Sequence, residues 1–208
     1  MPAVSDLVPL IVPGWRNSGP RHWQSYWELL LPQARRVQQR DWEQPDPADW
    51  VAQLDAAVAS LGARQRAVLI AHSLGCATAV RWAAEGDARN VARIAAGFLV
   101  APADVERPLA DERLAAFAPL PQAPLPFPTL VVGSTDDAVC SGLRAQELAR
   151  RWRAECRLLP QAGHINAESG HTQWPEGLAL LRRFVARVTS AIVPWPEPMD
   201  REPALSAG

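Results

Sequence analysis

Three sets of polar residues that each follow a short apolar run could together perform acyl transfer. The runs lead to Ser73 in AVLIAHS, to Asp136 and Asp137 in TLVVGSTDD, and to His164 in RLLPQAGH. A serine hydroxyl becomes an effective nucleophile when a histidine takes its proton, and a carboxylate keeps that histidine in the required tautomer. Serine, acid and histidine occur here in one of the chain orders known for such triads. The sequence therefore predicts Ser73 as a nucleophile, His164 as its base and one of the two aspartates as the acid.

The residues around Ser73 favour a nucleophile elbow, which is a tight turn from a strand into a helix. The two backbones nearly touch in such a turn, so small residues are needed two positions before and two after the serine. Ala71 and Gly75 occupy these positions, with alanine where glycine is the more common residue. The alternative is that Ser73 caps the helix by accepting a hydrogen bond from a backbone N–H. The acid and the histidine further along the chain favour the elbow.

Short apolar runs alternate with amphipathic stretches, which predicts parallel strands joined by helices. Strands are expected at 7–12, 67–71, 94–100 and 129–133, and more weakly at 37–40 and 156–160. Helices are expected at about 21–31, 47–61, 74–85, 142–153 and 175–190. Continuous apolar strands are typical of a sheet covered on both faces, and the alternation is typical of βαβ units. The prediction is an α/β fold with a mostly parallel central sheet and helices on both faces. Such sheets build their sites at the carboxyl ends of the strands, where the predicted triad residues would converge.

The overall composition limits the partners that this chain is expected to have. Its 208 residues carry a formal net charge of −1, with 48% hydrophobic and 21% charged residues. A chain of this size can bury a core without disulfides or metals, and a near-neutral charge favours neither nucleic acid nor an anionic membrane. We therefore expect one globular domain over residues 1–193 that acts on a small molecule, with no nucleic-acid or membrane partner.

The cysteines and the N-terminal sequence indicate a cytoplasmic protein. Cys76, Cys140 and Cys156 are odd in number and match no zinc-binding spacing, so reduced thiols are expected. The chain starts without a basic segment or a cleavage site, and no apolar run is long enough to span a bilayer. The sequence predicts neither a metal ion nor an organic cofactor.

Two stretches interrupt the alternation of strands and helices. Residues 101–128 are rich in proline and are expected to cross the carboxyl edge of the sheet, where loops often carry function. Protein docking through polyproline geometry is the alternative for this stretch. Residues 194–208 have no apolar period and are predicted to form a disordered tail.

Four motifs make the chain resemble a known family. They are VPGWRNSGPRHWQSYWE after the first predicted strand, AHSLGCA around Ser73, STDDAVCS at the aspartates and AGHINAESGH around His164. Over residues 7–190 the chain resembles the small α/β-hydrolase-fold serine hydrolases of the retinoblastoma-binding-protein-nine type, especially their bacterial members. The resemblance implies a single-domain α/β-hydrolase fold.

The resemblance also selects between the two candidate acids. Members of the family usually have a proline immediately after the catalytic aspartate. Ala138 stands at that position here, which aligns Asp137 with the acid. Asp136 is then a turn residue whose side chain caps the loop.

Two backbone N–H groups are expected to stabilise the oxyanion of the tetrahedral intermediate. In this fold one donor is the residue after the nucleophile, here Leu74, where the helix start favours negative charge. The second is expected from the Pro-Gly-Trp turn after the first strand. Trp15 is the candidate for this donor, and the amide of Arg16 is the alternative.

The other histidines have structural interpretations that compete with functional ones. His72 precedes the nucleophile and is expected to pack away from the site. His22 is either structural or directed at substrate, and His171 is a candidate for the rim of the pocket. No pair of histidines has the spacing of a metal-binding helix.

Tryptophans are concentrated near the predicted site. Trp23 and Trp27 are four residues apart on one predicted helix face, so both are expected in the core. Trp15 and Trp174 lie in predicted loops and are expected to form walls of the pocket.

The sequence thus predicts a serine hydrolase that cleaves an ester or an amide of a small substrate through an acyl-serine. The alternative is a binding or scaffolding protein that keeps the hydrolase fold with weak or vestigial activity, in which case a protein partner is expected.

Overall fold

The continuous apolar runs of the sequence form the strands of one parallel sheet. In the computed structural model, which describes residues 6–108 and 110–189, the strands are β1 Leu7–Val12, β2 Arg35–Arg36, β3 Arg66–His72, β4 Ile94–Val100, β5 Thr129–Ser134 and β6 Glu155–Leu159. Their order across the sheet is β2-β1-β3-β4-β5-β6, and every neighbouring pair is parallel. The four central strands are buried almost throughout, as the continuous apolar runs predict.

Helices connect the strands. They are α1 Trp23–Leu30, α2 Pro47–Ala59, α3 Leu74–Glu85, α4 Ala88–Val91, α5 Gly142–Arg151 and α6 Pro175–Thr189, with a short 3-10 helix at Glu112–Phe117. Local signals explain several starts: Asp46 caps α2 by accepting from the Asp49 N–H, and Pro47 occupies the first helical position. No described helix combines the length and the apolar character needed to cross a bilayer.

The sheet separates two apolar cores. One core lies on the side of α2, α3 and α5 and includes Trp50 and Trp82. The other lies on the side of α1 and α6 and includes Trp23, Trp27 and Phe184. The burial of Trp23 and Trp27 confirms the prediction for both, and the two covered faces confirm the predicted α/β fold.

The first edge strand differs from the prediction. Residues 37–40 were expected to form it, whereas β2 consists of Arg35 and Arg36 alone, paired with Leu10 and Ile11 of β1. Val37 is buried, which explains the apolar signal, but the chain leaves the sheet after its N–H donates to the Ile11 carbonyl. A strand of two residues is too short to show an apolar pattern in the sequence, so it could not be located from the sequence.

The proline-rich connection between β4 and β5 packs against the first core. Phe117, Leu120 and Phe127 are each buried there. Ala103, Arg107 and other residues of the connection line the cavity at Ser73 that is described below, so it does pass over the carboxyl edge of the sheet. The predicted domain end at residue 193 and the predicted tail at 194–208 lie outside the described residues.

Candidate active site

Three loops at the carboxyl edge of the sheet bring the predicted triad residues together. Ser73 follows β3, Asp137 follows β5 and His164 follows β6. The Nε2 atom of His164 is 2.9 Å from Ser73 Oγ, and its Nδ1 atom is 2.9 Å from Asp137 Oδ2. A hydroxyl, an imidazole and a carboxylate therefore form one hydrogen-bonded line, the arrangement needed to move a proton from the serine.

Ser73 occupies a strained turn and does not cap the helix that follows. Its φ and ψ angles are 54° and −122°, and its side chain makes no capping hydrogen bond to α3. A positive φ is uncommon for a residue other than glycine and is often found at functional sites. The geometry matches the elbow and leaves the hydroxyl available to His164.

The packing of α3 against β1 explains the glycine after the serine. A Cβ atom on Gly75 would lie 2.3 Å from the carbonyl oxygen of Val12 and 2.6 Å from that of Pro13. Both are backbone atoms that cannot rotate away. Glycine is therefore required for the helix to begin directly above the end of β1.

The two neighbouring aspartates have different partners. The Asp137 carboxylate is buried, and it accepts from the Val139 N–H through Oδ1 while Oδ2 faces His164. Asp136 is exposed and accepts from the Ser134 hydroxyl at 2.6 Å and from the Gly163 N–H at 2.8 Å. The hydrogen bond from Ser134, followed by that from Gly163, lowers the pKa of Asp136. Asp136 thus ties its turn to the loop that carries the base, as the turn-residue interpretation expects.

The Pro-Gly-Trp turn lies directly against the elbow. A Cβ atom on Gly14 would be 2.8 Å from Ser73 Cβ and 3.2 Å from the Leu74 nitrogen. Leu74 is the first residue of α3, so its N–H has no partner within the helix. The Arg16 N–H donates to the Trp42 carbonyl at 3.1 Å, whereas the Trp15 N–H has no hydrogen-bond partner among the described residues. Trp15 and Leu74 therefore remain the candidate oxyanion donors.

His72 supports the loop that carries the base. Its Nε2 atom is 2.9 Å from the His164 carbonyl oxygen, which can only accept, so Nε2 carries the proton. Burial holds the pKa of His72 well below its usual value, which keeps the ring neutral. The prediction that His72 is packed is confirmed, but the prediction that it packs away from the site is wrong, because it lines the cavity and its ring lies 4.9 Å from that of His164.

A cavity of about 530 Å³ opens at Ser73 and His164. Its walls come from the segment after β1, from the 101–128 connection and from the loop after His164, and they include Trp15, His22, Arg107 and Asn166. The predicted placement of Trp15 in a wall is confirmed, and the guanidinium groups of Arg16 and Arg113 lie within 4.4 Å of its ring centroid. The size suits a small molecule.

The prediction that Trp174 lines this cavity is wrong. Its indole packs in the second core, stacked on Trp27 with ring centroids 5.5 Å apart. A Cβ atom on Gly177 would lie 2.1 Å from that indole, so glycine in the first turn of α6 gives the ring its space. His171 contacts Trp174 and borders a neighbouring cavity rather than the rim of the catalytic one.

The polar cavity residues that sequence reasoning missed include Asn17 and Asn166. Both lie inside motifs that carry the family resemblance, so their position in those motifs was the available signal. Within the described part of the chain, no cluster of histidine, cysteine, aspartate and glutamate could hold a metal ion.

Comparisons with known proteins agree with the fold. A family model described as serine hydrolase matches residues 9–183. No curated protein sequence matches the chain significantly.

Among solved structures, a YdeN-like hydrolase from Pectobacterium atrosepticum is 36% identical, with a TM-score of 0.76 over 88% of this chain and 92% of that chain. The ydeN gene product of B. subtilis is 22% identical, with a TM-score of 0.68 over 86% of this chain and 98% of that chain. Esterase 2 of Thermogutta terrifontis is 20% identical, with a TM-score of 0.62 over 88% and 82% of the two chains. The last two are similar in fold.

Proposed function

Because the chain belongs to the serine hydrolase family, we propose that it cleaves an ester of a small molecule through an acyl-enzyme on Ser73. The observation that carries the proposal is the position of His164, whose two ring nitrogens each lie 2.9 Å from one partner, Ser73 Oγ and Asp137 Oδ2. His164 acts as the general base, and Asp137 holds its ring in the tautomer that leaves Nε2 free to accept a proton.

The first half-reaction releases the alcohol. Ser73 Oγ bonds to the carbonyl carbon while its proton passes to His164 Nε2, and the N–H groups of Trp15 and Leu74 bind the resulting oxyanion. When the intermediate collapses, the bond from carbon to the alkoxy oxygen breaks and His164 gives its proton to that oxygen. The acyl group remains on Ser73 as an ester.

The second half-reaction restores the enzyme. A water molecule takes the place of the alcohol and gives a proton to His164 as its oxygen bonds to the acyl carbon. Collapse of this second intermediate breaks the bond to Ser73 Oγ, which recovers its proton from His164, and the carboxylic acid leaves. An amide would follow the same steps with an amine as the leaving group.

The dimensions of the cavity support a small substrate. A volume of about 530 Å³ accommodates a short acyl group together with a modest alcohol. The resemblance in fold to esterase 2 of Thermogutta terrifontis, which has been observed phosphorylated by paraoxon, supports an organophosphorus probe of the serine. Three free cysteines suit a reducing compartment, and we place the enzyme in the cytoplasm.

Labelling with a fluorophosphonate and hydrolysis of short p-nitrophenyl esters test the proposal together. We expect the wild type to be labelled and to turn over, and Ser73→Ala to lose labelling and about 10⁶-fold of kcat. Ser60→Ala is the matched control, because the Ser60 hydroxyl lies at the end of α2 and, among the described residues, bonds only to the Ala57 carbonyl. Persistent labelling of Ser73→Ala would overturn the nucleophile. A folded wild type that neither labels nor hydrolyses would favour a binding or scaffolding protein instead.

A further inference from the structure

The position of His22 in the fold determines which of its ring nitrogens carries the proton. It precedes α1, where its Nδ1 atom accepts a hydrogen bond from the Gln24 N–H at 3.1 Å. A nitrogen that accepts carries a lone pair, so in the neutral ring the proton resides on Nε2. Burial, reinforced by the nearby charge of Arg36, lowers the pKa of His22 to about 3. The ring is therefore neutral at physiological pH and offers one N–H donor.

That donor is left unpaired within the described part of the chain. The Nε2 atom of His22 is buried and makes no hydrogen bond to any described residue. His22 is among the residues that line the cavity at Ser73 and His164, and it is 8% exposed. Buried N–H groups in native proteins are nearly always paired, so an unpaired one at a substrate cavity indicates a bond completed by the ligand.

The packing of His22 places it close to the reacting groups. Its ring lies edge-on to that of His72, with centroids 4.7 Å apart, and the His72 ring lies 4.9 Å from that of His164. Only one imidazole therefore separates His22 from the base. His22 therefore lies on the same side of the cavity as the reacting groups.

Two asparagine side chains of the same cavity also accept hydrogen bonds from the protein while donating none to the described residues. The Oδ1 atom of Asn17 accepts from the Ser18 N–H and from Arg36, and that of Asn166 accepts from the Ser169 N–H. Neither amide NH2 group has a partner among the described residues. His22, Asn17 and Asn166 thus use their acceptors inside the protein, while their donors have no partner among the described residues.

We propose that His22 binds substrate through its Nε2–H, and that the preferred substrates are esters carrying an acceptor oxygen near the scissile carbonyl rather than plain alkyl esters. The inference rests on the proposed hydrolase function and adds a substrate class to it. A hydrocarbon chain in this position would leave the buried N–H without a partner, which disfavours its binding.

Two isosteric substrate pairs test the inference on either side of the ester bond. On the acyl side, p-nitrophenyl methoxyacetate is compared with p-nitrophenyl butyrate. On the alcohol side, 2-methoxyethyl acetate is compared with butyl acetate. In each pair one ether oxygen replaces a methylene group. For each pair, the kcat/KM of the ether-containing ester is divided by that of the alkyl ester. This ratio is then compared between wild type and variant, so that the intrinsic reactivity of the esters cancels.

Two substitutions of His22 separate the donor from the helix cap. In His22→Asn the side-chain oxygen can still accept from Gln24, but no atom reaches the position of Nε2. In His22→Gln an amide nitrogen reaches that position, but the cap is lost. We expect His22→Asn to lower the ratio by about 2- to 10-fold in at least one pair while its Tm stays near that of wild type. We expect His22→Gln to keep more of the ratio and to melt earlier.

The outcomes distinguish this inference from the proposed function. If wild type hydrolyses esters and His22→Asn leaves both ratios unchanged, the substrate role of His22 is wrong while the hydrolase proposal stands. If the ratio and the Tm both fall in His22→Gln while the ratio stays unchanged in His22→Asn, His22 serves only as the helix cap. That result would also overturn the inference. If wild type hydrolyses none of the four esters and resists fluorophosphonate, the proposed function fails and the inference fails with it.

Discussion

Asp136 and Asp137 show how a shift of one residue along a turn changes the chemistry of a carboxylate. The buried Asp137 faces the imidazole of His164, while the exposed Asp136 joins Ser134 to the loop before His164. The residues alone could not separate them, because both follow the same apolar strand. The choice of Asp137 came from the family pattern at Ala138.

Replacement of each aspartate by asparagine tests this division of roles. We expect Asp137→Asn to lower kcat by about 10⁴-fold, because an amide would favour the tautomer of His164 that cannot accept the serine proton. Asp136→Asn should keep most of kcat and lose stability, since Ser134 and Gly163 exchange a charged acceptor for a neutral one. Steady-state kinetics and thermal melts on both variants provide the measurement. Loss of kcat in Asp136→Asn alone would reverse the assignment.

Trp174 shows what residue type and spacing cannot reveal. It lies before α6 in a stretch that reads as a loop, and a loop tryptophan near a catalytic histidine suggests a pocket wall. The outcome depends on Gly177, whose missing Cβ opens a space for the indole in the second core. That space exists only once α6 is docked, so a local pattern does not contain it.

Among the elements, the junction of β3 and α3 depends most strictly on the absence of a side chain at Gly75. The strands around it could be predicted, because parallel strands covered on both faces are continuous apolar runs. The sequence could predict that a small residue is needed at position 75. It could not predict that the carbonyls of Val12 and Pro13 are what leave no room for a Cβ atom. The two-residue strand β2 could not be predicted, since it is defined by its pairing with β1 alone.

Gly75→Ala should displace α3 and with it the elbow. The added methyl group would collide with backbone oxygens that cannot move independently, so we expect a loss of about 1–3 kcal/mol in the free energy of unfolding. The same shift should lower kcat, because Ser73 and Leu74 move with the helix. Chemical denaturation and ester hydrolysis measure the two effects.

Gly62→Ala is the matched control for this substitution. A Cβ atom there would make only ordinary contact with the Gln65 side chain, at 3.4 Å or more. Its stability and activity should stay close to those of wild type. Equal losses in the two variants would mean that the tight contact at Gly75 is not the cause.

At the scale of the whole molecule, two neutral imidazoles are buried beside the candidate active site. The pKa of His22 is lowered to about 3 and that of His72 well below 6.5, in both cases mainly by burial. An unfolded chain would take up protons at these residues below pH 6.5, whereas the native chain would not. Protons therefore bind preferentially to the unfolded state, and stability falls as the pH decreases through 6.5.

Urea unfolding at pH 7.5 and pH 5 tests this linkage. The lower pH lies about 1.5 units below the ordinary pKa of histidine, so His22 is protonated in the unfolded chain and neutral in the native one. This proton uptake lowers the free energy of unfolding by about 2 kcal/mol. We expect His22→Asn to lose less stability than wild type over the same interval, because it removes one of the titrating groups. Identical pH dependence in the two proteins would contradict a neutral, buried His22.

The stacked indoles of Trp27 and Trp174 have a spectroscopic consequence. Their rings are nearly parallel, at 11°, and the indole of Trp23 lies within 5.2 Å of Trp174 by centroid. Chromophores at such separations couple their electronic transitions, so circular dichroism near 290 nm, roughly the region of indole absorption, reports whether α1 contacts the segment just before α6. Near-UV circular dichroism can thus follow the contact between α1 and this segment during unfolding, without an added dye.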